Sequence, residues 1–311
     1  MNLRKYTFRT LFPVALIAVF TVCLASISAP ASGTVVRFNS VMGSFDVRMF
    51  NARTSLTVAN ILNYVNTDRF DNSIVHRVDA TWVQQANGSF VLDPFVIQSG
   101  DSVYPPGGVL AQITQDAVVQ NEPGISNLRG TMALAKGNQP SSGTNNWYIN
   151  LDNNSFLDTS TGGFTVFGRV VGNGMDVVDA ISRLPTHQIQ QAGTTVPMRG
   201  DLSQGITRDN FVIFTSVEVL NIPDGDYDFD GDVDGADFLL WQRSFGSTTN
   251  VAADGNGNAV VDAADLALWS NNYGAGPPLS TTVSVPEPAT LVLLLLGLFA
   301  KPQAVWRVFC R

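Results

Sequence analysis

Only two cysteines occur in the 311 residues, Cys23 and Cys310, one near each end. The body between them therefore has no disulfide framework and no thiolate metal site. Histidine is equally scarce. His76 and His187 are the only pair, which leaves little material for a histidine-dependent hydrolase triad or a zinc cluster. Charged residues are 14% of the chain, and no basic patch interleaved with aromatics occurs, which argues against a nucleic-acid surface. A dinucleotide fingerprint is also missing. Gly172-Asn173-Gly174 opens a helical pattern without the full glycine set, and reads as a turn. Arg199-Gly200-Asp201 is a chance grouping of three common residues.

What is present is an apolar chain, 45% hydrophobic with 19 phenylalanines, enough for one good core and a small second domain. The net charge of −8 is local: ten aspartates and one arginine (Arg243) lie between Asp224 and Gly274, and the remainder nets about +1.

The first 31 residues read as a signal peptide. Arg4, Lys5 and Arg9 form a basic start, Leu11 to Leu24 an apolar run, and Ala29-Pro30-Ala31 a small-residue cleavage site. The run is short for a membrane span, which favours cleavage after Ala31 over an uncleaved anchor. Val22 stands where lipid attachment at Cys23 would need a small residue.

Residues 32–220 mix two periods. Phe45 to Met49 alternates apolar and polar residues after a turn at Met42-Gly43. Thr54-Ser55 offers helix caps before Leu56, Ala59, Leu62 and Val65, spaced for one apolar face. Phe164 to Val171 and Phe211 to Val219 read as strands, and Met175 to Leu184 as a second amphipathic helix. Many strands with two scattered helices suggest a mainly β, closed antiparallel barrel rather than a βαβ sheet.

Residues 224–274 hold a repeat of period 28: Val233 to Gly246 aligns without gaps to Val261 to Gly274, with seven of fourteen positions identical. Leu240/Trp241 and Leu268/Trp269 recur after each acidic loop and point to packed helices. Residues 275–288 are a Gly/Pro/Ser/Thr-rich linker, and 289–311 an apolar tail with a basic end.

Several segments of the first domain resemble the cyclophilin family, in family order. They are Thr57 to Asn60, His76-Arg77-Val78, Phe95 to Asp101, Arg129 to Ala135, and Phe164 to Val170. The resemblance implies an eight-stranded barrel and peptidyl-prolyl cis-trans isomerisation without a cofactor. Its substrates would be proline-containing segments of protein chains. Arg77 would act on the prolyl amide, with Phe95 and Gln98 beside it. Val96, Tyr148 and Leu157 would line the proline pocket with Phe95, and Asn146 would hold the substrate backbone. Ala135 and Lys136 would bind the residue before proline through their main chain. Phe156 stands where some members carry Trp, and Phe164 where some carry His. This chain departs from the family at Val75, usually Phe, and at Asn146-Trp147-Tyr148, usually Gln-Phe-Phe. It also carries a longer stretch from Asp79 to Pro94. With Trp82, Val83, Phe90, Val91 and Leu92, that stretch is expected to fold down beside the groove and select peptides.

The acidic repeat has calcium-loop spacing. Asp226, Asp228, Asp230, Asp234 and Asp237 fall at loop positions 1, 3, 5, 9 and 12, with Gly231 at the turn and the Asp232 carbonyl at position 7. The second loop places Asp254, Asn256, Asn258, Asp262 and Asp265 in the same order, with Val260 offering the carbonyl. There Ala259 replaces the turn glycine, so weaker binding is expected. An Asp at position 12 is usual in dockerins, which the repeat resembles; that implies structural Ca²⁺ in a small α-helical module. Dockerins bind partners called cohesins through positions 10 and 11. The resemblance thus implies a cohesin-like partner, which the small apolar Gly235-Ala236 and Ala263-Ala264 at these positions do not identify.

Val285 to Thr290 and the apolar run after it resemble the PEP-CTERM sorting signal, although Lys301-Pro302 interrupts the run and Arg307 and Arg311 are scattered. This implies export to a bacterial envelope or secretion, with membrane contact only through the tail. The rival to an exported isomerase is a non-catalytic envelope protein that binds proline-containing segments and is scaffolded by its calcium module.

Overall fold

The structure is a computed structural model describing residues 33–189 and 194–276. The expected leader, most of the linker and the tail lie outside the described residues. The chain opens with the hairpin β1 (Val35–Ser40) and β2 (Gly43–Met49), in which Phe38 faces Phe45. Val36, Phe38, Phe45 and Val47 alternate into the core, as the period of two requires. Helix α1 (Ser55–Asn66) follows, then β3 (Ser73–Ile74), β4 (Arg77–Gln84), β5 (Phe90–Ser99), β6 (Ser102–Val103) and β7 (Ala111–Gln112). Next come β8 (Thr131–Leu134), β9 (Trp147–Asn150), β10 (Val166–Val171) and α2 (Gly174–Ser182). A separate hairpin, β11 (Thr186–Ile189) with β12 (Thr194–Pro197), precedes β13 (Ile213–Val219). Helices α3 (Gly235–Ser244) and α4 (Ala263–Asn272) complete the described chain.

Eleven strands pair in the order β4-β5-β9-β8-β10-β2-β1-β13-β3-β6-β7. Strands in a sheet lie about 4.8 Å apart, so β9 and β1, four steps apart, would be about 19 Å apart if the sheet were flat. Instead the rings of Phe38 and Trp147 meet at 5.2 Å, and those of Trp147 and Phe214 at 5.7 Å. The sheet therefore curls around these side chains, all fully buried. Its two ends approach through residues 73–77. The Val75 N–H donates to the Val212 carbonyl, while the His76 N–H donates to that of Gln98. The fold is thus mainly β and curled. Within the eleven-stranded sheet eight strands are four residues or longer, and β3, β6 and β7 have two each.

Two local expectations are corrected. Helix α1 buries Thr57, Val58, Ile61, Tyr64 and Val65, whereas Leu56 is 51% exposed and Ala59 is exposed too. Of the expected face Val65 is buried and Leu62 packs against the core, so the inward side is the adjoining one centred on Ile61 and Tyr64. The helix cap is also supplied from elsewhere. Thr54 makes no capping bond; the Glu122 carboxylate accepts the N–H groups of Leu56 and Thr57, at 3.2 and 2.8 Å, and the Thr57 hydroxyl. A carboxylate suits the positive end of a helix. Glu122→Ala is expected to lower stability by about 1 kcal/mol, the usual size of a lost cap, in urea unfolding of the full chain.

The repeat folds as two loop–helix halves. Asp234 and Asp262 cap α3 and α4, and Asp237 and Asp265 complete a capping box in each. Each indole reaches across to the other half: Trp241 Nε1 donates to the Asp262 carbonyl and Trp269 Nε1 to that of Asp234. Main-chain bonds repeat with the same period. Val233 pairs with Gly274 and Ala275 as Val261 pairs with Gly246 and Ser247.

Candidate active site

Strand β5 sets the floor of a cavity of about 190 Å³ that is walled by β4, β9 and the residues just after β8. It is lined by Phe95, Val96, Tyr148, Leu157, Ala135 and Phe164, with Arg77, Gln98 and Lys136 as the polar lining. Residues scattered over 88 positions thus converge, because β5 pairs with both β4 and β9 and places Arg77 and Tyr148 opposite Gln98.

Arg77 is half-buried at the rim. Its Nη1 donates to Gln98 Oε1 at 3.2 Å, and its Nη2 to Asp79 Oδ2 at 2.6 Å. The sequence reading missed Asp79. The signal was available, since residues i and i+2 of a strand share one face. Lys136 extends over the Phe164 ring at 4.4 Å and donates to Thr161, so its ammonium is tied to the cavity wall. The Ala135 N–H is engaged by the Asn146 carbonyl, so Ala135 can offer a bound chain its carbonyl but not that N–H. Asn146 and Phe156 do not line the cavity. Asn146 stands beside it with a buried Oδ1 that has no hydrogen-bond partner; such an acceptor fits a peptide N–H. Phe156 is exposed and stacks on Phe95 with centroids 5.7 Å apart.

Tyr148 brings a hydroxyl where a phenylalanine would bring none, and a buried network absorbs it. Its Oη donates to Asn127 Oδ1 at 2.8 Å, and Asn127 in turn donates to Asp158. Burial pushes the phenol's pKa well above its usual value, so the pocket floor stays neutral. Asn127 and Asp158 had no local signature; only the tertiary approach of their loops reveals them.

His76 is buried behind Arg77. Burial lowers its pKa to about 4, with Asp101 opposing and Arg77 reinforcing the shift. It is therefore a neutral packing residue at neutral pH. Because the unfolded chain takes up the proton first, stability is full above about pH 6.5 and lost as pH falls toward 4. The gap between 6.5 and about 4 corresponds to roughly 3 kcal/mol. Full-chain denaturation at pH 7 and 4.5 is expected to show a steeper loss for the native chain than for His76→Gln.

The stretch from Asp79 to Pro94, expected beside the groove, is strand-paired over most of its length. It continues β4 and β5 as a two-stranded ribbon, with Val83 opposite Val91 and a tip closed by Gln85 and Ser89. Phe90 and Val91 are 59% and 51% exposed, and no described side chain of residues 80–94 lines the cavity.

In the first acidic loop, carboxylate oxygens of Asp226, Asp228 and Asp237 lie within 4.8 Å of one another, as do those of Asp232, Asp234 and Asp237. The Asp232 side chain belongs to the second group, where the loop spacing assigned only its carbonyl, and its Oδ1 is buried without a hydrogen-bond partner. Asp230 falls in neither group. In the second loop Asp254 and Asp265 are buried and Asn256 nearly so. Asn258 turns its amide nitrogen to Asp262 Oδ2 at 3.0 Å and its oxygen to the Val260 N–H. Burial pushes Asp226 up to about 6 and Asp254 up to about 7, with the Arg48 charge partly offsetting the shift at Asp254.

Residues 35–200 match the family model described as cyclophilin type peptidyl-prolyl cis-trans isomerase/CLD, and residues 284–311 match the PEP-CTERM protein-sorting motif. A peptidyl-prolyl cis-trans isomerase of Acinetobacter baylyi is 32% identical over 168 residues, covering 51% of this chain and 78% of its own. Peptidyl-prolyl cis-trans isomerase A of Dickeya dadantii is 30% identical, covering 56% of this chain and 86% of its own. Peptidyl-prolyl cis-trans isomerase B of Escherichia coli is 33% identical, covering 49% and 86% respectively. A solved cyclophilin type isomerase of Cryptosporidium parvum aligns with 61% of this chain and 99% of its own, at 15% identity and a TM-score of 0.42.

Proposed function

The chain belongs to the cyclophilin type peptidyl-prolyl cis-trans isomerase family, and we propose that it turns over proline-containing segments of exported proteins, with Arg77 acting on the prolyl amide. Isomerase activity is what its curated relatives are named for. The observation that carries the assignment of roles is the apolar cavity with one guanidinium and one amide at its rim.

Rotation about the bond before proline is opposed by amide resonance, a barrier of roughly 18–20 kcal/mol. No bond has to be made or broken. Phe95, Val96, Leu157 and the Tyr148 ring take the proline ring out of water. Gln98 and Asp79 hold the guanidinium toward the cavity, where it favours the pyramidal, non-conjugated nitrogen of the twisted state. The acceptor of Asn146 and the carbonyl of Ala135 are placed to steady the flanking chain. A proline-isomerisation assay on the full chain tests this: accelerated exchange of a test peptide is expected. Binding without acceleration would leave only the recognition role.

Two further readings accompany it. We read the curled sheet as the family's closed barrel, with residues 73–77 as the closing stretch; the bonds of Val75 and His76 to opposite ends of the sheet support this. Export is supported by the sorting motif at 284–311. No helix among the described residues is long and apolar enough to cross a membrane.

The repeat is read as a dockerin-like calcium module. Asp226, Asp228, Asp232, Asp234 and Asp237 form a hard-oxygen set with an orphaned buried carboxylate oxygen, which fits Ca²⁺. Asp254, Asn256, Asp262 and Asp265 would hold a second ion more weakly. A bound ion would supply positive charge at these clustered carboxylates.

A further inference from the structure

The second loop of the repeat is packed onto the barrel at the corner between β2 and α1. The Gly33 N–H donates to the Gly255 carbonyl at 2.6 Å, and the Ala52 N–H to that of Gly257 at 3.1 Å. The backbones touch there: a Cβ on Gly257 would meet Asn51 N and Met49 O at 2.7 Å. Arg48 reaches out of β2 into this junction and is buried. Its Nη2 donates to the Ala252 carbonyl at 3.0 Å, its Nη1 to that of Gly33 at 3.3 Å, and it lies over the Phe229 ring at 5.3 Å. Burial works against its charge, while Asp254, Asp265 and Asp226 favour it. The barrel thus contributes a cation to a module that otherwise carries one arginine against ten aspartates.

The apolar side of the junction leads to the active site. Val251 and Ala259 of the repeat belong to one contiguous buried cluster with Phe50, Val96, Tyr148 and Leu157, and the last three line the proline cavity. Ala259 occupies the loop's usual glycine position at φ 68°. The left-handed turn disfavours a side chain, yet this methyl is buried in the shared cluster, which accounts for alanine there. Close-packed interiors pass a displacement from neighbour to neighbour because they hold few voids to absorb it.

We propose that the repeat is an internal partner of the isomerase barrel: its second loop, held by Arg48, braces the floor of the proline pocket, and the loading of the repeat with calcium is felt there. The calcium arm rests on the calcium reading of the loops given above; the bracing arm does not. Val251→Asp places a carboxylate in the shared cluster while leaving untouched the repeat's own core of Tyr227, Ala253 and Val261. Full-chain kcat/KM is measured with calcium and with chelator, beside calorimetric unfolding and calcium titration calorimetry. Coupling between sites spans about 5- to 150-fold. The native chain is expected to lose at least about fivefold in kcat/KM on chelation, the lower end of that range. Val251→Asp should have the lowered value in both conditions, with calcium still bound and the unfolding trace split in two. Native kcat/KM and a single transition in Val251→Asp would overturn the bracing. Calcium binding by the native chain with no change in kcat/KM on chelation would overturn the linkage. Absence of any calcium-binding heat would remove the calcium reading and the linkage with it, and leave the bracing to be decided by Val251→Asp alone. If that variant does not fold, Arg48→Met makes the same comparison from the barrel side.

Discussion

Arg77→Ala is expected to lower kcat/KM about 10²–10³-fold, the usual effect of removing one donor aimed at the transition state. The reason is geometric. The guanidinium is fixed by two side chains, Gln98 at 3.2 Å and Asp79 at 2.6 Å, at the mouth of a cavity whose other walls are almost wholly apolar. Among the described residues that line the cavity the other cation is Lys136, and its ammonium is bound to Thr161. Arg77 is only half-buried, and its ion pair with Asp79 is solvent-exposed enough to contribute little to stability. The variant should therefore keep its circular dichroism and its urea midpoint. Near-native kcat/KM in such a folded variant would remove Arg77 from the mechanism. A parallel loss of activity and of cooperative unfolding would make it a structural residue.

Calcium chelation is expected to melt the repeat, and Asp237→Asn to mimic that loss at the first loop. Asp237 lies in both acidic groups of that loop; its Oδ1 accepts the Tyr227 N–H and its Oδ2 that of Asp234. The amide keeps one acceptor for the capping box but removes the charge an ion would meet. A ligand at a thousand times its dissociation constant stabilises the form that binds it by about 4 kcal/mol, comparable with what a module of this size can bury. Far-ultraviolet circular dichroism should show loss of helix on chelation. Emission should change as well, because Trp241 and Trp269 each donate across to the opposite half. In calcium titration Asp237→Asn should lose the tighter of two binding events. Identical spectra with and without chelator would leave the repeat an ion-independent fold.

The parts legible in the sequence are those written in short runs. The motif pieces from His76 to Val170 hold six of the residues that the fold gathers around one cavity, and the family resemblance they carry implies the other three, Lys136, Tyr148 and Leu157. The 28-residue repeat named two equivalent loop–helix halves before their symmetric bonds were visible. Local spacing carries the strand alternation and the repeat, whereas the cavity residues are what the family resemblance implies. What only the tertiary structure decided are the partners of groups distant in the chain. Packing turned the Ile61 and Tyr64 side of α1 inward and left Leu56 exposed. The cap of that helix came from Glu122, 65 residues away from Thr57. The Asp79 to Pro94 segment looked too apolar for solvent, and it is strand-paired over most of its length. Arg48 is one more basic residue on an alternating strand until the repeat closes over it. Hydrogen bonds and buried charges are settled by which surfaces meet, and the chain's periodicity records only which surfaces are available to meet.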